Sequence, residues 1–157
     1  MSLAAPTSPV INGAPLRVAV VAARYNEALV DALLQRVLGG LRAASVSAKR
    51  VTVVRVPGSH EVPAAVQMLA RPGSVDCVIG LGVLIGGDTR HHEMVGQSVS
   101  QALQRVALDT RVPVINGVIV ADTLAQARAR CTGRIDRGAE FARAAVEMAA
   151  LKRKFFR

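Results

Sequence analysis

Gly80-Leu-Gly-Val-Leu-Ile-Gly-Gly-Asp-Thr-Arg-His91 carries an apolar run of strand length straight into a glycine-rich turn, and then into a helix that opens on a histidine. In an open α/β sheet, ligands occupy the crevice beyond the carboxyl ends of the strands, and unpaired N–H groups at the start of the following helix attract an anion. The stretch therefore places a phosphate-sized anion beside a proton carrier. It also admits a plainer reading, in which Gly86 and Gly87 only form a tight turn and Thr89 only caps the helix. Chemistry at the other strand ends decides between the two.

Working outward, the stretch belongs to an apolar run from Cys77 to Leu84, and three more such runs span Leu16 to Ala22, Val51 to Val56 and Val114 to Val120. Each is followed by a helical period. Unbroken rather than alternating apolarity predicts strands covered on both faces. The first helix carries Val30, Leu33, Leu34, Val37, Leu38 and Leu41 on one stripe, with Asn26 as its cap. A later helix, from His91 to about Leu108, repeats the stripe with Val95, Val99, Ala102, Leu103 and Val106. A last one carries Ala142, Ala145, Val146 and Ala149, after a short helix from Thr123 to Arg130 and a loop ending at Gly138. Four strand-helix alternations with right-handed crossovers predict an α/β fold, a three-layer α/β/α sandwich around a four-stranded parallel sheet. Residues 1–14 are rich in Pro, Ser and Ala and read as a flexible arm, in which Val10 and Ile11 could form a short strand on a neighbour. Residues 15–157 read as one domain.

Composition narrows the class. A chain of 157 residues buries roughly two-thirds of its unfolded surface. It is 51% hydrophobic but 3% aromatic, with no Trp, so its core is built from Val, Leu, Ile and Ala. No apolar run approaches the roughly 20 residues that span a bilayer, and the first residues lack a basic start followed by an apolar stretch. A soluble, cytoplasmic chain without membrane contact is expected. Cys77 and Cys131 have no metal-ligand spacing, and no disulfide is implied. The net charge of +9 raises anionic partners. The basic residues are scattered, however, and one Tyr and three Phe offer little stacking surface, which argues against nucleic acid. Lys152, Arg153 and Lys154 complement the dipole of the last helix.

The unusual polar residues fall at strand ends: Arg24-Tyr25-Asn26 after the first, Gly58-Ser59-His60-Glu61 after the second, Asp88-Thr89-Arg90-His91 after the third. Three ends on one rim are the layout of a pocket. His91 is the best general acid or base there, since imidazole titrates near neutral pH. Tyr25 offers a flat face for a planar heterocycle, against the reading that it packs on the sheet edge. Glu61 suits a polyol or, equally, caps the helix that Pro63 begins. Arg130 and Arg137 flank the loop before the last helix, as phosphate ligands or as solvated side chains. His91 and His92 are not the i, i+4 pair that holds zinc, so no metal is expected. No cofactor is expected either.

With these residues in place, the chain from about Leu16 to Leu151 resembles the 6,7-dimethyl-8-ribityllumazine synthase family of riboflavin biosynthesis. The resemblance rests on four ordered motifs: Ala23-Arg24-Tyr25-Asn26, Val56-Pro57-Gly58-Ser59-His60-Glu61-Val62-Pro63, the stretch from Gly82 to His91, and Pro113-Val114-Ile115-Asn116-Gly117-Val118-Ile119. It implies a transferase that condenses 5-amino-6-(D-ribitylamino)uracil with 3,4-dihydroxy-2-butanone 4-phosphate, releasing phosphate and water, on a flavodoxin-like topology. By the same resemblance, Tyr25 and Asn116 belong to the pyrimidine site, and Ser59 and Glu61, with Asn26, Gly58 and His60 near them, hold the ribityl chain and adjacent polar atoms. Val83, Leu84 and Ile85 wall the uracil. Asp88 and Thr89 form the phosphate turn, with Arg130 supplied across a subunit boundary and Arg137 as a further basic residue. His91 is the proton donor.

The resemblance further implies homopentamers, or multiples of pentamers, with shared active sites. The chain departs from it in places. Members usually carry Arg or Lys where Gly86 stands, a small neutral residue where Asp88 stands, Phe or Tyr where His60 and His92 stand, and Thr where Val120 and Ala121 stand. Asp88 and the missing basic residue at Gly86 prompt an alternative expectation, a catalytically weak homologue that binds flavin or lumazine.

Overall fold

The computed structural model describes Thr7, residues 9–71 and residues 73–156. Half of the N-terminal arm, residues 1–6 and 8, lies outside the described residues. Val10 is fully exposed, Ile11 packs against the core, and neither belongs to a strand. The Gly13 N–H donates to Ala44 O at 2.7 Å.

Four strands, β1 (Val18–Ala23), β2 (Val51–Val56), β3 (Cys77–Ile85) and β4 (Val114–Ala121), form one parallel sheet in the order β2-β1-β3-β4. Five helices follow them: α1 (Glu27–Ala43), α2 (Val62–Leu69), α3 (His91–Thr110), α4 (Leu124–Cys131) and α5 (Arg137–Phe155). Side chains alternate across β1. Val18, Val20 and Ala22 pack with α1 and α5, while Ala19, Val21 and Ala23 pack with α2 and α3. This is the expected three-layer α/β/α sandwich. Leu33, Leu41, Ile79, Leu81 and Leu103 are among its largest fully buried side chains, each stabilising the fold by about 1.5–3 kcal/mol relative to exposure.

Two expectations are corrected. Unbroken apolarity does mark covered strands at β1, every residue of which is buried, but β2 and β4 are sheet edges. Val53 and Val120 are 42% and 43% exposed there, because an edge strand has a neighbour on one side only. The second correction concerns Asn26. It occupies the position before α1 in the left-handed region, at φ 56°, and makes no cap bond. Its Nδ2 instead donates to Val83 O at 2.8 Å, tying the β1–α1 turn to β3. Side-chain caps occur elsewhere: Thr123 accepts from Gln126 N–H at the start of α4, and Asp136 accepts from Ala139 N–H at the start of α5.

The strand order places the topological switch between β1 and β3, since the chain leaves β1 for β2 on one side and returns to β3 on the other. Ligand crevices form at such a point, outside the carboxyl ends of the strands.

Candidate active site

A groove of about 590 Å3 opens at that switch point, lined by Tyr25, Gly58 to Glu61, Leu84, His91, Met94 and Val95. Local folding explains each wall. The Arg24 and Tyr25 N–H groups donate to Pro57 O, both at 3.2 Å, so the ends of β1 and β2 are drawn together. Tyr25 is left 75% exposed, with its ring edge against Gly58. Glu61 closes its own turn by accepting the Gly58 N–H on Oε2 at 2.8 Å, while its N–H donates to Gly58 O. That bond closes the turn before α2 rather than capping α2, which has no side-chain cap, and it uses a single carboxylate oxygen.

Ser59 is only 4% exposed and its Oγ has no hydrogen-bond partner among the described residues. It packs directly on Gly82 of β3, where a Cβ would collide with that hydroxyl. Glycine is thus required for the turn after β2 to lie against the sheet. At the other wall, α3 begins without any side-chain cap, and the Met94 N–H is the first to bond back, to Arg90 O at 3.1 Å. Thr89 does not cap the helix, nor does Asp88. The N–H groups of the first turn remain available to an anion, with the exposed His91 beside them.

Of the residues singled out in the sequence, Tyr25, Gly58, Ser59, His60, Glu61, Leu84 and His91 come together around this groove. Others do not. Val83 and Ile85 pack in the core under α1 on the opposite face of β3, because side chains alternate along a strand. Only Leu84 of that trio reaches the groove. Asn116 lies on edge strand β4, exposed, paired with Gly80 and accepting the Val118 N–H. Arg130 donates to Gln126 O on its own helix. Arg137 forms an ion pair with Glu140 at 2.6 Å. None of these three lines the chain's own groove.

Two further residues, Met94 and Val95, line the groove. Val95 belongs to the buried stripe of α3 as the apolar spacing predicts, and Met94 carries no sequence signal beyond standing one turn after Arg90 on the helix. Cys77 and Cys131 are unpaired and buried, and burial pushes both thiols up from their ordinary range. Among the described residues no helix is long and apolar enough to cross a membrane.

The profile of the family described as 6,7-dimethyl-8-ribityllumazine synthase matches residues 15–153. A 6,7-dimethyl-8-ribityllumazine synthase of Cupriavidus metallidurans is 40% identical over 141 residues, covering 90% of this chain and 82% of the relative. One of Laribacter hongkongensis is 41% identical over 148 residues, 93% of this chain and 92% of the relative. One of Methylobacterium radiotolerans is 41% identical over 149 residues, 94% of this chain and 88% of the relative.

Proposed function

The chain belongs to the 6,7-dimethyl-8-ribityllumazine synthase family, and we propose that it carries out the family's condensation in the groove between Tyr25, Ser59 and His91. The reaction joins 5-amino-6-(D-ribitylamino)uracil to 3,4-dihydroxy-2-butanone 4-phosphate and releases phosphate and water in riboflavin biosynthesis. The enzyme is a transferase. The reading as a flavin-binding homologue without turnover is not favoured.

The observation that carries the site assignment is the meeting, in one groove, of an exposed aromatic face, a buried unpartnered hydroxyl and an uncapped helix start beside a histidine. The Tyr25 ring stacks on the pyrimidine. Ser59 Oγ and the remaining Glu61 oxygen hydrogen-bond the ribityl hydroxyls, which supply the partner that Ser59 lacks. The first N–H groups of α3, with Thr89, receive the phosphate. Asp88, in the same turn, is a like charge to that phosphate, which weakens its hold. His91 moves the protons that amine attack on the ketone and loss of phosphate require. The substrate brings its own amine and phosphate is a good leaving group, so holding the two substrates together accounts for most of the acceleration.

Asn116 and Arg130 complete the site from a neighbouring copy in a homopentamer or a multiple of pentamers. Their support is their position: both lie on the β4 side of the fold, away from the groove of their own chain. The two unpaired, buried thiols support a cytoplasmic setting.

The test mixes purified protein with both substrates and follows product fluorescence above the uncatalysed rate. Saturable formation is expected. Folded, assembled protein that adds nothing to the uncatalysed rate would remove the assignment.

A further inference from the structure

We propose that His92, Glu93 and Asp122 form a binding site for a divalent transition-metal ion of the zinc class, which ties the first turn of α3 to the end of β4. One ligand atom from each of the three lies within 4.8 Å of the others. His92 is 8% exposed, and neither of its ring nitrogens has a hydrogen-bond partner among the described residues. A buried imidazole with both nitrogens unsatisfied is costly, and such groups are rare without a role. Its Nε2 is aimed at Asp122 Oδ1 but stops at 3.5 Å, well beyond the usual N–H···O separation of about 2.9–3.0 Å. Two ligands bound to one zinc at about 2.0–2.2 Å in a tetrahedron stand about 3.3–3.5 Å apart. The observed 3.5 Å gap matches the spacing of two ligands around an ion.

The donor set selects the metal. One imidazole and two carboxylates suit zinc and its neighbours rather than magnesium or calcium, which favour all-oxygen shells. Gly86 makes the approach possible, since a Cβ there would come within 2.5 Å of Asp122 O. The exposed Glu93 and Asp122 can adjust to an ion, while the buried His92 fixes its position. An ion so held braces the turn from Gly86 to Arg90 from behind, one residue from His91.

The test is equilibrium dialysis of metal-stripped, full-length, untagged protein against zinc, with the visible spectrum of the cobalt(II)-loaded protein reporting geometry. One saturable zinc per chain is expected, with tetrahedral cobalt bands and a rise in Tm on zinc addition. His92→Gln and Asp122→Asn should each weaken binding on the order of a hundredfold, while His91→Gln keeps it. Asp122 is 77% exposed in its side chain, so its variant tests the site without threatening the fold. No saturable uptake by folded wild type, or uptake that Asp122→Asn leaves unchanged, overturns the proposal.

Discussion

Asp76 and Ser59 are equally buried polar side chains, each 4% exposed, at opposite ends of the same sheet, and they are treated in opposite ways. At the amino end, Asp76 Oδ2 accepts the Arg17 N–H at 2.7 Å and an Arg153 guanidinium N–H at 2.8 Å. Arg17 and Lys152 donate to Gly73 O and Val75 O beside it. Burial works against the Asp76 charge, but these donors and the Arg153 charge outweigh it and hold the carboxyl below its ordinary range. At the carboxyl end, the Ser59 hydroxyl and both His92 ring nitrogens have no hydrogen-bond partner among the described residues. Satisfied buried groups stabilise a fold, while unsatisfied ones cost stability and persist where they serve a ligand. The difference separates the end that holds the molecule together from the end that works.

That division is open to attack by substitution. His91→Ala should lower kcat by about 10²–10⁴ while leaving urea unfolding unchanged; turnover abolished outright, with binding intact, would contradict the dominance of substrate positioning. Asp76→Ala should do the reverse, costing about 1–3 kcal/mol of stability by leaving the Arg17 N–H and the part-exposed Arg153 guanidinium without their acceptor, with kcat retained in the folded fraction.

The sign of the pH effect follows from the lowered Asp76 pKa. Its contribution is present above the unfolded carboxylate value, about 3.9, and is lost as pH falls through the folded value. The acid unfolding curve of wild type should therefore steepen below about pH 4 relative to Asp76→Asn.

Gly82→Ala should cost about 1–3 kcal/mol and also raise KM, because the added methyl displaces Ser59 from the groove. Thermal melts and steady-state kinetics on the same preparation check both. Ser59→Ala has the smallest expected effect on the fold, within about 0.5 kcal/mol or slightly stabilising, yet it should raise KM for the ribityl substrate several-fold. A large loss of stability in Ser59→Ala would erase the contrast with Asp76.

Much of this was legible in the chain. Runs such as Cys77 to Leu84 and the stripe of α1 declare strand and helix because their apolar spacing matches the two backbone periods. The rim residues could be read for the same reason, since in an alternating α/β chain whatever follows a strand arrives at the carboxyl edge. Val83 and Ile85 pack away from the groove that Leu84 reaches, because strand alternation sends neighbours to opposite faces, and nothing local says which face holds the groove. Arg137 reads equally as a phosphate ligand or a solvated side chain, and its pairing with Glu140, three residues away, is visible only in the structure.

By itself, then, the sequence determined the layer architecture, the family and the set of residues at the rim, because these depend on short-range periodicity and on motifs contiguous in the chain. Only the tertiary structure decided which buried polar groups are satisfied. Asp76 meets Arg153, and His92 meets Asp122, across distances that no local spacing records. Whether a buried charge or ring nitrogen finds a partner is set by how distant segments pack, and that packing is what distinguishes support from function here.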